Sequence, residues 1–486
     1  MMKNGGTPTA TAGSGFIWSL ANAIATKAGT FLIGIVLARV LGPEAFGTYA
    51  VALVALLAVL SFNELGVSLA IVRWPGDPRK IAPTVATIST VTSALLAAAA
   101  VLAAPLFTSL MGTPEATPVV QLLALNVAIG GMVDTPAALL QRVFDERTRT
   151  VIDQTNVWIG AAASVLLALL GLGAMSLAIG RTAGSLISGV LFVMRSPLPL
   201  RFGWSREYVR PLLRFGLPLA GTSCIVFFVS YADQLIGGAV LGATALGFYV
   251  LAFNLSTWPL SIISQPLRRV APAAFSALQG DEAAQKRALT ALFGAVAAVA
   301  MPAFFAMAAA AIPVILFVYG SEWLPASNAL VWLVVASCAK VFHELIYDFL
   351  VVLGRTGAIF KIQVIGLLVL LPALFIGAHY ASLAGLAAAQ AAVAALVTLP
   401  LYLLQLHRSG FAVSQLFSRL WLPILGAVFW AAAVWYIVQA LSNVWIALGI
   451  VGIGTLLVIA ALLWPRRADI SSLRAIGSNT VLTEAV

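Results

Sequence analysis

The chain has 486 residues, of which 61% are hydrophobic and 9% charged, where an ordinary soluble domain has roughly 45–50% and about 25%. No water-soluble core buries that share of Leu, Ala, Val and Ile, so a soluble globular protein is excluded. The formal net charge of +10 needs no nucleic acid as partner, because a membrane protein gathers Lys and Arg on its cytoplasmic rim, against anionic lipid.

Residues 1–15 are polar and read as a flexible cytoplasmic N-terminus, without the pattern of a secretory signal. Beyond them, apolar runs of the roughly 20 residues that cross a bilayer recur along the chain. Divided at Gly, Pro and charge clusters, they predict fourteen spans: 16–38, 46–71, 84–108, 117–140, 155–173, 174–195, 211–238, 246–270, 288–318, 325–353, 358–380, 382–406, 418–440 and 442–464. Only "GLGAMS" at 171–176 parts the fifth from the sixth. Residues 465–486 read as a basic anchor followed by a polar cytoplasmic tail. Cys224 and Cys338 both fall inside spans, so no disulfide framework is implied.

Charge tests the count. Of the 27 Lys and Arg, all but Lys27, Arg39, Arg181 and Lys340 fall at the N-terminus, in every second connection or in the tail. A miscounted span would scramble this alternation, which predicts a multi-pass protein with both termini in the cytoplasm.

One loop is written twice. Residues 40–52, "VLGPEAFGTYAVA", and 240–252, "VLGATALGFYVLA", share Val, Leu, Gly, Ala, Gly, Tyr and Ala in register. Six spans separate the copies, so both have one orientation and the chain reads as two parallel-related six-helix lobes. The N-lobe is 16–195, a cytoplasmic linker 196–210, and the C-lobe 211–406; two C-terminal helices within 407–464 stand outside the duplication. Within the loop, Gly42 and Gly242 suit a helix C-terminus that needs positive φ, and Tyr49 and Tyr249 are expected at the lipid–water boundary. The fold class is thus an all-α polytopic membrane protein.

"LGPEAFGTY" (41–49) followed by "SFNELGVSLAIVR" (61–73) resembles the start of bacterial polysaccharide flippases of the multidrug/oligosaccharidyl-lipid/polysaccharide exporter superfamily, and more blocks agree in order. These are "PAALLQRVFDERTR" (136–149), "LLRFGLPLAG" (212–221), the stretch 245–279, "GSEWLPA" (320–326) and "VLGRTG" (352–357), which resemble the colanic-acid-exporter branch in particular. "FDERTR" departs from the more basic, hydrophobic segment of relatives. The resemblance implies a two-lobed, V-shaped helical bundle with alternating access. Its implied substrate is an undecaprenyl-diphosphate-linked oligosaccharide, moved from the inner to the outer leaflet of the bacterial inner membrane for lipopolysaccharide or exopolysaccharide export. A glycan polymerase is a candidate partner.

Ionisable residues inside spans supply the independent argument. Lys27 lies near mid-membrane, where an unpaired charge costs about 2.5–3.5 kcal/mol and so should face a cavity or partner. Its counterpart in the second half is Phe227. Arg181 and Lys340 are the other embedded bases; with Lys27 they are the candidate diphosphate ligands, since phosphate pairs with Arg in bidentate fashion and with Lys as a point charge. For Lys340 the competing reading is internal neutralisation by Glu344, one turn along "KVFHELIYD". Among the acids Glu64, Asp134, Asp233, Glu344 and Asp348, the coupling candidates are Asp233 and the His343/Glu344 cluster, for protons or sodium. Asn22, Tyr231, Gln234, Asn254, Trp258 and Gln265 are candidate cavity-lining residues.

Two rivals remain: a cation-coupled multidrug exporter of the same superfamily, which would favour an acidic cavity, and a membrane glycan polymerase or ligase. The outer connections are too short to assemble the acids, bases and nucleophiles such chemistry needs. With no phosphate-binding Gly loop, metal-ligand cluster or nucleophile–base pair in the sequence, the expectation is a non-enzyme without cofactor or metal.

Overall fold

A computed structural model of the protein describes the backbone of residues 8–63, 67–278 and 280–467. It describes their side chains from Gly29 onward, except at 30, 63, 265–266, 269–270, 272–274 and 277. Among the described residues every regular element is helical. The longer helices are α1 (Pro8–Asn63), α2 (Val67–Arg73), α3 (Pro78–Leu110), α4 (Thr117–Arg142), α5 (Glu146–Leu169), α6 (Ala174–Arg195), α7 (Arg206–Leu241) and α8 (Ala243–Ala277). There follow α9 (Glu282–Ala309), α10 (Ala311–Val318), α11 (Ala326–Val352), α12 (Thr356–Ala392), a π-turn (Val393–Thr398), α13 (Leu399–Arg408), α14 (Val413–Ala440) and α15 (Val444–Leu463).

Twelve stretches of the described residues are long and apolar enough to cross a membrane, and two of these contain a backbone break. α1 turns at Gly42 (φ 71°, ψ 174°), ahead of Pro43. The stretch Thr356–Arg408 breaks at Ala381 and Ser382. There the chain folds back so closely that a Cβ on Gly377 or Gly385 would strike the carbonyl oxygen of the other. Counted on both sides of each break, these stretches and the rest of α1 make fourteen helical segments, the number the hydropathy pattern predicts. Their boundaries run differently: α7 starts at Arg206 and α8 runs to Ala277, because a helix need not stop where the apolar run does. The predicted ninth span is broken at Ala310 into α9 and α10.

Two compact units divide the chain at Ser230/Tyr231, inside α7. In the first, α5 and α6 approach at backbone distance. A Cβ on Gly180 would meet Gly160 O and Ser164, and one on Gly184 would meet Asn156, so small residues set this contact. Alanines of α1 and α3 pack on Val120, Leu123 and Val127 of α4.

In the second unit α11 forms the centre, with 67% of its apolar window buried, against 17% for α14 and α15. Those two peripheral helices lay Val434 and Val451 against Ala306 and Ala310. Leu102 and Phe429, 82% and 73% exposed, show the inverse of a soluble surface, as expected where lipid is the solvent.

Candidate functional site

Charge is costly in an apolar helix, so ionisable side chains within the spans mark the candidate site. In the second unit Asp233, 2% exposed, lies near the Gly242 end of α7. Its Oδ1 accepts from the backbone N–H of Gln234 at 2.8 Å, and its Oδ2 accepts from the Tyr249 hydroxyl at 2.8 Å. That hydroxyl also stands 2.7 Å from Gln390 Oε1 of α12.

One hydroxyl carries one proton, and here two acceptor oxygens face it. The triad closes in two ways. A protonated Asp233 donates to Tyr249, which donates to Gln390; or the Gln390 amide turns, its NH2 donates to Tyr249, and Tyr249 donates to ionised Asp233. The two arrangements differ by one proton and one amide rotation.

Phe253 stacks beside Tyr249 with ring centroids 6.3 Å apart, and Lys340 Nζ stands 5.5 Å from the Phe253 centroid. Lys340 is within electrostatic reach of Asp233 and of Glu344. The ion pair expected between Lys340 and Glu344 is instead made by Arg268 of α8, at 3.0 Å from Glu344 Oε1. Glu344 Oε2 and Asp348 Oδ2 are buried without a hydrogen-bond partner among the described residues. Lys340, Glu344 and Asp348 thus form a polar ladder of i, i+4 steps along α11.

His343 turns elsewhere. Its Nε2 is 2.9 Å from Ala394 O in the π-turn, and its ring stacks on Tyr402. The π-turn ends two residues before Pro400, which has no N–H with which to continue the helical ladder.

The first unit holds Arg181 on an exposed face of α6, with no hydrogen bond or ion pair to another described residue. A cavity of about 470 Å³ is lined by polar side chains of α2 to α5, including Ser68, Ser89, Thr92, Asp134, Gln141 and Arg149. Lys27 is in α1, but its side chain lies outside the described residues, as do Glu64 and the side chains of Asn22 and Gln265. Arg181 and Lys340 belong to different units.

Sequence reasoning missed Tyr249, Gln390 and Arg268. Tyr249, expected at the lipid boundary, is 0% exposed and bonded to an acid. A signal existed: Asp233 and Tyr249 flank the Gly242 turn at similar distances, so folding the hairpin brings them together. In the other copy the residue matching Asp233 is Ile33, and there Tyr49 packs with Ile33 and Leu37 in an apolar cluster. The same hairpin buries an apolar cluster in the first unit and a hydrogen-bonded acid in the second.

Twelve membrane-length apolar stretches, with charged side chains lodged in several of them, define an all-helical multi-pass membrane protein. The chain belongs to the polysaccharide biosynthesis protein family, whose profile it matches over residues 36–328. It is 28% identical over 315 residues to the succinoglycan biosynthesis transport protein ExoT of Rhizobium meliloti, a match spanning 63% of this chain and 62% of that protein, less than two thirds of its length. It is 25% identical to the lipopolysaccharide biosynthesis protein WzxC of Escherichia coli over 84% of both chains. Among solved structures, the lipid II flippase MurJ superposes with a TM-score of 0.75 at 14% identity, covering 93% of this chain and 99% of MurJ. An inward-facing multidrug resistance MATE transporter of the MOP superfamily superposes at 0.62 and 16% identity, over 78% and 94% of the two chains. These likenesses establish the fold.

Proposed function

We propose that the protein is a flippase that carries an isoprenoid-diphosphate-linked oligosaccharide from the inner to the outer leaflet of the bacterial inner membrane, by alternating access of lobes 16–195 and 211–406 about the linker 196–210. The reading rests on one observation: a member of the polysaccharide biosynthesis protein family carries Arg181 on an exposed face within a membrane span, with no described partner. A base in that position suits an anionic substrate. Moving a glycan headgroup through hydrocarbon costs roughly 2–7 kcal/mol for each hydroxyl stripped of water, and a polar cavity removes that barrier while the isoprenoid tail stays in lipid. Lys27, Arg181 and Lys340 are the proposed diphosphate ligands. With the inside negative, outward movement of each negative charge is favourable by about 2.3 kcal/mol per 100 mV.

The Asp233–Tyr249–Gln390 triad supports proton coupling. Its two hydrogen-bonding arrangements are interconverted by one proton, and Lys340 is near enough to balance the carboxylate. Arg-rich ends are assigned to the cytoplasm, both termini included, and the protein acts as a transporter, not an enzyme. Deleting the gene and locating the stalled glycan tests the reading. A lipid-linked oligosaccharide accumulating on the cytoplasmic leaflet is the expected result; a block in glycan synthesis without that accumulation supports a polymerase or ligase instead.

A further inference from the structure

A second cavity of the first unit lies apart from the groups used above. It measures about 410 Å³, within the range of small-molecule sites, and opens at the Arg-rich end of the unit, where α3 begins and α6 ends. Arg79 of α3, Thr135 of α4, and Ser196 and Arg201 of the connection after α6 supply its polar lining. No acid lines it.

Its wall is built, not incidental. The connection is pinned across α3: Gly203 N–H donates to Pro83 O at 3.2 Å, Thr87 Oγ1 donates to Gly203 O at 2.9 Å, and Ser205 N–H donates to Thr84 Oγ1 at 3.2 Å. Arg201 is thereby held beside the first turn of α3. Asp77, the acid nearest in sequence, is the cap of α3 and accepts from the backbone N–H of Arg79 at 2.9 Å. Neither Arg79 nor Arg201 forms a side-chain ion pair with another described residue.

Two hydroxyls in this lining lack partners. Thr135, 3% exposed, and Ser196 each bury Oγ without a hydrogen bond among the described residues. A helical Thr ordinarily donates to the carbonyl four residues back. Here that acceptor, Gly131 O, receives Thr90 Oγ1 instead, at 3.4 Å. A buried hydroxyl left unpaired is costly, so this lining is unsatisfied until an acceptor arrives.

Two guanidinium groups without an ion-pair partner among the described residues and two donor-capable buried hydroxyls in one acid-free cavity match one chemistry, an oxyanion of phosphate. We propose that this cavity binds a phosphate group, either the headgroup of an anionic phospholipid or a soluble phosphate monoester. The proposal is independent of the flippase reading, since none of these residues belongs to the embedded charges on which that reading rests.

The full-length protein in nanodiscs provides the test. In one arm, nanodiscs of phosphatidylcholine alone are compared with nanodiscs containing phosphatidylglycerol, and retained phosphatidylglycerol is counted by native mass spectrometry. In the other, glycerol 3-phosphate is titrated into phosphatidylcholine nanodiscs and binding is followed by calorimetry. Arg79→Gln/Arg201→Gln, Thr135→Val and the charge-matched control Arg355→Gln/Lys361→Gln are run beside wild type. The expected result is binding in at least one arm that is about tenfold weaker in the Arg79/Arg201 variant, weakened in Thr135→Val, and unchanged in the control. Binding confined to the first arm identifies a lipid headgroup, and binding in the second a soluble ester. Absence of binding in both arms, or equal loss in the control, overturns the site. Should the double variant fail to fold, Thr135→Val alone decides, with undiminished binding counting against the proposal.

Discussion

At the residue scale, Asp233 and Tyr249 separate two roles that a single deletion would confuse. Asn at position 233 can donate its amide to Tyr249 while still accepting from Gln234, so Asp233→Asn copies the protonated triad. It should fold normally and bind substrate but lose the pH-gradient dependence of transport, measured in proteoliposomes; an unchanged gradient response removes Asp233 from coupling. Tyr249→Phe strands two buried acceptors and should lower unfolding stability by about 1–3 kcal/mol, read by thermal denaturation. Among the bases the test is charge sign. Lys27→Arg should keep partial transport, Lys27→Ala weaken it and Lys27→Glu abolish it at normal protein abundance. Misfolding of all three would point to a buried ion pair, whose loss costs about 3–5 kcal/mol. These acids and bases were legible from hydropathy alone, because each interrupts an apolar run. Of their neutral partners, Tyr249 was signalled only by its place across the Gly242 turn from Asp233, and Gln390 not at all, because the partner of a polar residue 141 positions away is set by tertiary packing.

At the element scale, the duplicated turn is a backbone device. Gly42 (φ 71°, ψ 174°) and Gly242 (φ 81°, ψ 177°) share a conformation essentially reserved for glycine, which is why both copies keep it. Gly242→Ala should destabilise the protein by about 1–3 kcal/mol and loosen the α7–α8 hairpin, seen as faster amide exchange in the turn; unchanged exchange would contradict the strain argument. The second fold-back, at Ala381 and Ser382, has no comparable glycine at the break. There Gly377 and Gly385 flank the turn and let the two passes touch, so the sequence signal sits in the helices instead of the loop. Helix starts follow cruder electrostatics. Hydrogen bonds from Thr148 hold the Asp145 carboxyl below its ordinary range at the N-terminus of α5. Because that pKa is lowered in the folded state, the cap contributes above the ordinary carboxylate value and is lost only as pH falls through the lowered one.

At the scale of the whole molecule, the proposed orientation follows from where Lys and Arg collect. In a background lacking Cys224 and Cys338, a membrane-impermeant thiol reagent should label Ala45→Cys in intact cells and spare Gly280→Cys. Equal labelling of the two would reject the assignment of the Arg-rich ends to the cytoplasm. α14 and α15 pack mainly against α9 and expose most of their surface, an arrangement expected of helices added outside a duplicated pair of lobes.

Composition and hydropathy alone determined that the chain is an all-helical multi-pass membrane protein, because burial in lipid demands a continuous apolar run for each pass and a charge or turn residue between passes. The duplication was equally local, since a glycine-only backbone conformation leaves the same letter in both copies. Tertiary structure alone decided which polar groups meet. Arg268 takes Glu344 from Lys340, and His343 turns away from its neighbour toward the π-turn. Tyr249 leaves the expected lipid boundary for Asp233, and Thr135 and Ser196 converge with Arg79 and Arg201. Such pairings depend on helix rotation and on contacts between segments distant in sequence, and a hydropathy pattern records how deeply a helix is buried without recording which neighbour each face meets.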